Sequence, residues 1–169
     1  MGDPATENVD GAVGAFALGV RALELASQRV RVACEGDDID TAAIEVHFGL
    51  HAVYDLHEAL FTSRGIESTA GQDEVYGASR GEAAGALVFA RGGRTHELVT
   101  FATRGGFGDL PYGMGPYGGG WLWADYSSTQ RAFRQRSEWY RDRVRYRYLW
   151  DPLDEAWAWF RQHAPSSSD

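Results

Sequence analysis

The sequence predicts an all-α fold, a helical bundle built on a long antiparallel helix hairpin. Apolar residues recur at helical spacing over residues 10–36 and again over 38–64, and only a short acidic turn separates the two runs. From residue 104 to 126 the chain is instead rich in glycine, proline and aromatic residues. That composition predicts a loop, with room for a short strand or β-hairpin at Trp121–Ala124.

The first predicted helix begins near Asp10 and ends at Gly36, a residue type that commonly caps helix C-termini. The second begins after Asp38 or Asp40, since either carboxylate is a good N-cap, and it ends at Arg64–Gly65. Two helices of this length joined by a short turn pack antiparallel. This pair is the predicted hairpin.

A third helix is predicted from Asp73 through Phe89, although it contains three glycines spaced four apart, Gly77, Gly81 and Gly85. Each glycine costs about 1 kcal/mol relative to alanine inside a helix. Because they share one side of the helix, they either allow another backbone to approach closely or are simply tolerated. After the pair Gly92–Gly93, a further helical segment is predicted over Thr95–Thr103.

Two more helices are predicted near the C-terminus. One runs from Thr129 to about Arg143 and can be capped by Ser127 or Ser128. The last begins at Asp151–Pro152, since proline is favoured in the first turn of a helix. The chain therefore reads as a single domain over residues 1–169, with three parts and a tail. These are a helical core (10–103), a Gly/aromatic loop (104–126), C-terminal Arg/aromatic helices (127–164) and a frayed tail (165–169).

The composition of the chain limits the classes of function that it can have. No run of about 18 apolar residues is present, which argues against a membrane span. Cys34 is the single cysteine, which excludes an internal disulfide and fits a cytoplasmic protein. The net charge of −8 argues against indiscriminate nucleic-acid binding.

One short segment is basic within this acidic chain. Residues 131–147 hold seven arginines and two acids, interleaved with aromatic residues. Arginine beside aromatic rings suits phosphate contact and base stacking. The candidate RNA-binding residues are Arg94, Arg131, Arg134, Arg141, Arg143 and Tyr140. The alternative is an arginine face that pairs with the protein's own acidic helices.

The second helix carries three histidines, His47, His51 and His57. His47 and His51 are four residues apart, so they share a helix face and could in principle bind one metal ion. No third ligand at matching spacing is evident, and no His-Glu-x-x-His motif is present. Packed or surface histidines are therefore favoured, and neither a metal nor another cofactor is predicted.

The strongest chemical signal is the pair Arg91 and His96 on either side of Gly92–Gly93. On a straight helix, residues five apart point about 140° away from each other, so the two side chains would not meet. The two glycines lower the cost of a kink that would bring them together. Arginine binds phosphate bidentately, histidine transfers protons near neutral pH, and RNA supplies its own 2′-hydroxyl nucleophile. Such a site needs no metal.

Arg91 and His96, with four residues between them, resemble the Arg-x4-to-6-His motif of the HEPN superfamily of helical RNases and RNA-associated proteins. The stretch Ala90–Leu98 is also similar to a motif in uncharacterised actinobacterial proteins. The resemblance implies an all-α homodimer that pairs two motifs in one cleft, with Arg91 and His96 as the catalytic residues. It further implies a role as a toxin or in phage defence.

One position departs from the family pattern. Active HEPN members usually place a polar residue directly after the arginine, whereas this chain has Gly92. We therefore expect a metal-independent ribonuclease or a catalytically weakened relative that still binds RNA. The alternative is a non-catalytic helical module that presents the aromatic loop 107–123 to a protein partner.

Overall fold

The computed structural model describes residues 4–94, 102–105, 120–126 and 133–165, with side chains except at 4–13, 93–94 and 102–105. This part of the chain contains six helices and one two-stranded sheet. The predicted all-α class is thus confirmed. Over the described ranges, no helix combines the length and hydrophobicity that a bilayer crossing requires.

The two longest helices, α1 (Pro4–Glu35) and α2 (Ile39–Ser63), pack along each other. The carboxylate of Asp38 caps α2 by accepting a hydrogen bond from the Thr41 backbone N–H at 3.1 Å. The pair runs antiparallel: Arg29 pairs with Glu45 near the turn, and Gly19 lies against Leu56 further from it. α1 begins before the predicted start at Asp10, because proline needs no partner for an N–H in the first turn.

The prediction of one continuous helix over residues 73–89 is wrong. The chain forms α3 (Thr69–Ala78) and α4 (Glu82–Arg94), separated at Ser79–Gly81. Arg80 has a φ of 61°, a left-handed conformation that a continuous α-helix cannot contain. The break turns α4 away from α3 and allows it to pack against α2 and the C-terminal helices.

Aromatic rings, rather than another backbone, occupy the space that the glycines leave. A Cβ at Gly81 would lie 2.6 Å from the Trp159 ring and 2.7 Å from Tyr76, and a Cβ at Gly85 would lie 3.0 Å from Trp139. Gly77 is less crowded, since its nearest neighbour, also Trp139, would be 3.8 Å away. Two of the three glycines are therefore required by close packing.

The glycine pair 92–93 does not break the helix, because α4 continues through both residues to Arg94. The prediction of a kink at Gly92–Gly93 is therefore wrong for the helix up to Arg94, where the described range ends. Of the helix predicted over Thr95–Thr103, residues 95–101 lie outside the described ranges. Its last two residues belong instead to strand β1 (Ala102–Gly105).

Strand β2 (Gly120–Trp123) pairs with β1 in an antiparallel register that places Ala102 opposite Trp123. The strand predicted near Trp121–Ala124 is therefore present. The other edge of β2 bonds to the segment after the next helix: the Trp123 N–H donates to Arg147 O at 2.9 Å, and the Tyr146 N–H donates to Trp123 O at 2.9 Å.

Helices α5 (Arg134–Arg143) and α6 (Asp151–Gln162) close the fold. Pro152 lies in the first turn of α6, as predicted. The start predicted for α5 at Thr129, with its serine caps, lies outside the described residues. α4 packs against α5, α6 and α2, which makes it the central helix of the described part of the chain.

Replacing Gly81 by alanine should lower the free energy of unfolding by about 1–3 kcal/mol, because the new methyl group meets two rigid aromatic rings. Gly77→Ala is the matched control in α3. It adds a methyl group at ordinary contact distance and should stabilise by about 0.5–1 kcal/mol through helix propensity. Urea unfolding measures both. Equal stability of Gly81→Ala and wild type would contradict the packing assigned here.

Candidate functional site

Arg91 lies near the end of α4, with its side chain half-buried. Its guanidinium carbon sits 3.9 Å from the centroid of the Tyr54 ring on α2. A planar guanidinium at this distance stacks on the aromatic face, which fixes the orientation of the arginine. His96, its predicted catalytic partner, lies outside the described residues.

A cavity of about 430 Å³ opens beside Arg91. Aromatic rings from four parts of the chain form much of its wall: Tyr54, Phe89, Tyr126 and Phe133. Carboxylates of Glu58 and Glu67 line another side. The volume falls within the range of small-molecule sites in proteins, and aromatic walls with a few polar groups are typical of such sites.

His47 and His51 lie on the same helix as Tyr54, with their ring centroids 4.4 Å apart and their planes at 70°. Burial lowers the pKa of His47, and the nearby positive charges of His51 and Arg91 lower it further. Within the described ranges, no three His, Cys, Asp or Glu side chains are arranged to hold a metal ion. The two histidines therefore belong to the surroundings of Arg91.

His57 has a different environment on the same helix, since it is 4% exposed. Its Nε2 lies 3.7 Å from a Glu58 carboxylate oxygen, which favours a proton on Nε2. Its Nδ1 then accepts a hydrogen bond from the Tyr76 hydroxyl at 2.8 Å. Burial, and next the charge of Arg136, lower the pKa of His57 to about 4. This histidine is neutral at physiological pH and acts as a structural acceptor.

Arg136 of α5 is also buried beside the cavity, with 4% of its side chain exposed. Its Nε donates to Asp73 of α3 at 2.6 Å, and its Nη2 donates to Gln72 at 2.9 Å. A buried guanidinium is tolerated only when it is paired in this way. The pair holds α5 against α3 and forms the inner wall of the cavity.

The described arginines among the predicted RNA-binding residues pair with carboxylates of this chain. Arg134 contacts Glu138, Arg141 contacts Asp142, and Arg143 lies 3.9 Å from Glu82. Arg131 and the side chain of Arg94 lie outside what the structure describes.

The same pairing continues along the basic segment. Arg145 pairs with Asp125 at 3.4 Å, and Arg147 pairs with Glu155 at 2.6 Å. The arginine face is thus largely matched by the protein's own acids, as the alternative prediction had it. Exposed pairs of this kind are individually weak, so a polyanion could still compete for them.

Tyr140 is removed from the RNA-binding candidates, because its side chain is fully buried. Its hydroxyl donates to the Ala124 carbonyl at 2.8 Å, and its ring packs against Trp123. Tyr140 thus belongs to the hydrophobic core and not to a surface on which bases could stack.

The aromatic loop 107–123 is described only from Gly120 onward. Both of its described tryptophans are held by the protein itself. Trp123 is fully buried and donates its indole N–H to the Leu149 carbonyl at 3.0 Å, and Trp121 donates to the Asp37 carboxylate at 3.0 Å. These two side chains are therefore engaged within the fold.

Sequence reasoning missed Tyr54, Glu58 and Arg136 as parts of the site. Tyr54 had a usable signal, because it follows His47 and His51 on one helix face, at spacings of seven and three residues. Arg136 had no such signal in the sequence. Its partner Asp73 is far away in sequence, and Arg136 is one of seven arginines within residues 131–147. Only the packing of α5 on α3 selects it.

Comparison with protein-family models, with curated proteins and with solved structures gave no match. The resemblance to the HEPN superfamily therefore stays a prediction that rests on the spacing of Arg91 and His96.

Substituting Arg136 by leucine should lower the free energy of unfolding by about 3–5 kcal/mol, since it leaves the Asp73 carboxylate poorly hydrated and without its main partner. Arg134→Leu on the same helix is the control. Its side chain is 81% exposed, so its loss should cost less than about 1 kcal/mol. Chemical unfolding compares them, and similar losses for both would refute the buried role of Arg136.

Stability should fall as pH drops below the ordinary His57 pKa of 6.5, because the unfolded chain then binds a proton that the folded protein rejects until about pH 4. At pH 5 this term should reach about 2 kcal/mol. In His57→Gln, which keeps an acceptor for Tyr76 but does not titrate, the loss between pH 8 and pH 5 should be smaller by that amount. An equal loss in both proteins would exclude His57 as its source.

Proposed function

We propose that this protein is a HEPN-like RNA-binding protein in which Arg91 contacts a phosphate of the RNA backbone. The observation that carries the proposal is the guanidinium of Arg91 stacked on Tyr54 at the edge of an aromatic cavity. Stacking uses the face of the guanidinium, whereas phosphate is bound by the N–H groups at its edge. The two interactions are compatible, because stacking on Tyr54 orients the guanidinium and does not use its N–H groups.

The cavity offers a site for the base of the nucleotide whose phosphate Arg91 contacts. Single-stranded RNA is recognised by stacking unpaired bases on aromatic side chains and by hydrogen bonds to their edges. Tyr54, Tyr126 and Phe133 supply aromatic surface beside Arg91. Glu58 and Glu67 supply acceptors for exocyclic amino groups of a base. One nucleotide, with its phosphate at Arg91, is the ligand that this chemistry fits.

Cleavage is the stronger form of the proposal. The 2′-oxygen of RNA would attack the adjacent phosphorus while the bond from phosphorus to the 5′-oxygen breaks. A base removes the 2′-hydroxyl proton, and an acid supplies a proton to the leaving oxygen. Arg91 would stabilise the charge on the pentacoordinate phosphorus, and the resemblance assigns proton transfer to His96.

RNA binding is better supported than cleavage. The catalytic version relied on a bend at Gly92–Gly93, and α4 is continuous through both glycines. Gly92 also replaces the polar residue of active family members. A weakened relative that retains binding fits both observations.

The protein-interaction module is less favoured. An exposed aromatic surface would favour it, yet the two tryptophans that the structure describes in the loop 107–123, Trp121 and Trp123, are held within the fold. An Arg91 buried far from any cleft would also favour it, whereas Arg91 lines a cavity. By resemblance, the proposal includes a homodimer and a cytoplasmic role in toxin action or phage defence.

Arg91→Ala should weaken binding of a fluorescein-labelled single-stranded RNA by at least about tenfold, the loss expected for one charge-assisted phosphate contact. Fluorescence anisotropy in EDTA at fixed ionic strength measures this. Arg21→Ala, which removes an exposed arginine that pairs with Glu24 on α1, is the control. RNA affinity equal in both variants would refute the assigned role of Arg91.

The same preparation decides the stronger form. Wild type incubated with RNA in EDTA is compared with the Arg91→Ala/His96→Ala double variant on a denaturing gel. Faster cleavage by wild type supports a ribonuclease, and equal rates restrict the proposal to binding. Sedimentation equilibrium on this sample reports whether the protein is a homodimer.

A further inference from the structure

His47, His51 and Tyr54 occupy one face of α2 at spacings of four and three residues, so they stand one above the other on successive turns. Arg91 reaches across from α4 and covers the last of the three. The guanidinium is also close enough to lower the pKa of His47 through its charge. Two imidazoles and one guanidinium thus share a single surface between α2 and α4.

The two imidazole rings are in contact, with centroids 4.4 Å apart. Like charges at this separation disfavour each other, so protonating both rings is costly unless an anion lies between or beside them. Arg91 adds a permanent positive charge to the same surface. An anion that binds there offsets this repulsion and gains hydrogen bonds from both ring N–H groups.

Three carboxylates of α2 also lie near this surface. Glu45, two residues before His47, pairs with Arg29 of α1. Asp55 is exposed four residues after His51, on the same side of α2. Glu58 lies beside His57 and lines the cavity that Arg91 also lines. Of the two charged side chains that the structure describes on α4, Arg91 lies at this surface and Glu82 lies 3.9 Å from Arg143 of α5. The surface therefore becomes more cationic as the histidines protonate.

We propose that His47, His51 and Arg91 form one phosphate-binding site that takes up protons together with its ligand. The ligand is a phosphate group, supplied either by the RNA backbone or by a free or terminal phosphate. The assignment rests on the proposed function where RNA is the source, since Arg91 then contacts RNA phosphate as well. It gives His47 and His51 a role that the Arg91 and His96 motif does not contain.

Proton uptake follows from charge. A neutral imidazole donates one hydrogen bond and carries no charge, whereas an imidazolium donates from both nitrogens and attracts the phosphate. Phosphate should therefore raise the pKa of both histidines, and its affinity should increase as pH falls through their titration range. Arg91 keeps a weaker site at high pH, because its charge does not titrate.

The first test is an NMR titration of the imidazole resonances with and without inorganic phosphate at constant ionic strength. We expect the pKa of His47 and His51 to rise by about 1 unit, a shift typical of a close opposite charge. His163, at the C-terminal end of α6, is the reference imidazole. Unchanged pKa values for His47 and His51 in both inorganic phosphate and labelled RNA would overturn the proposal.

The second test uses binding. RNA affinity of wild type should increase at least about fivefold from pH 8 to pH 5.5, and the His47→Gln/His51→Gln variant should lose most of this increase. Glutamine keeps a hydrogen-bonding side chain without a titrating charge. The same pH dependence in variant and wild type would contradict the site.

The outcomes separate this inference from the proposed function. If RNA binding depends on Arg91 but neither probe moves the two pKa values, the phosphate site is overturned and RNA binding remains. If RNA fails to bind while inorganic phosphate raises both pKa values, the phosphate site stands with a free or terminal phosphate as its ligand, and the proposed function fails.

Discussion

The buried ring of Tyr76 is the constraint on which the rest of the structure depends. It is fully buried, its hydroxyl donates to His57 of α2, and its ring packs at 4.9 Å against Trp159 of α6. Gly81 and Gly85 have no side chains because this ring and its aromatic neighbours fill the space. The chain must therefore leave α3 just after Tyr76 and begin α4 in a new direction. One aromatic residue thus connects four helices.

The direction of α4 determines where the candidate site lies. Because α4 packs across α2, its last turn brings Arg91 over Tyr54, and the cavity forms between these helices and α5. Arg136 closes the inner side through its buried pair with Asp73. The surface that carries Arg91 is consequently attached to the packed core. Such support is what an arginine needs to hold a phosphate in one orientation.

The three histidines of α2 differ in their surroundings and therefore in the chemistry that they can perform. His57 is enclosed, hydrogen-bonded to Tyr76 and held neutral, so it serves packing. His47 and His51 are partly exposed, with their rings in contact on the side of α2 that faces Arg91. The pKa of His47 is lowered by burial and then by the charges of His51 and Arg91, whereas the pKa of His57 is lowered by burial and then by the charge of Arg136. Arg91 and Arg136 lie on α4 and α5, far from these histidines in sequence.

The sequence by itself determined the two long helices and the last helix, because apolar periodicity, the Asp38 cap and Pro152 act within a few residues of chain. It also identified Arg91 as a chemical candidate. Only the tertiary structure decided that α3 and α4 are separate, that Gly92–Gly93 stays helical, and that the arginines of the basic segment pair internally. The physical reason is range: helix signals are local, whereas ring packing, buried ion pairs and the approach of Arg91 to Tyr54 join residues that are distant in sequence.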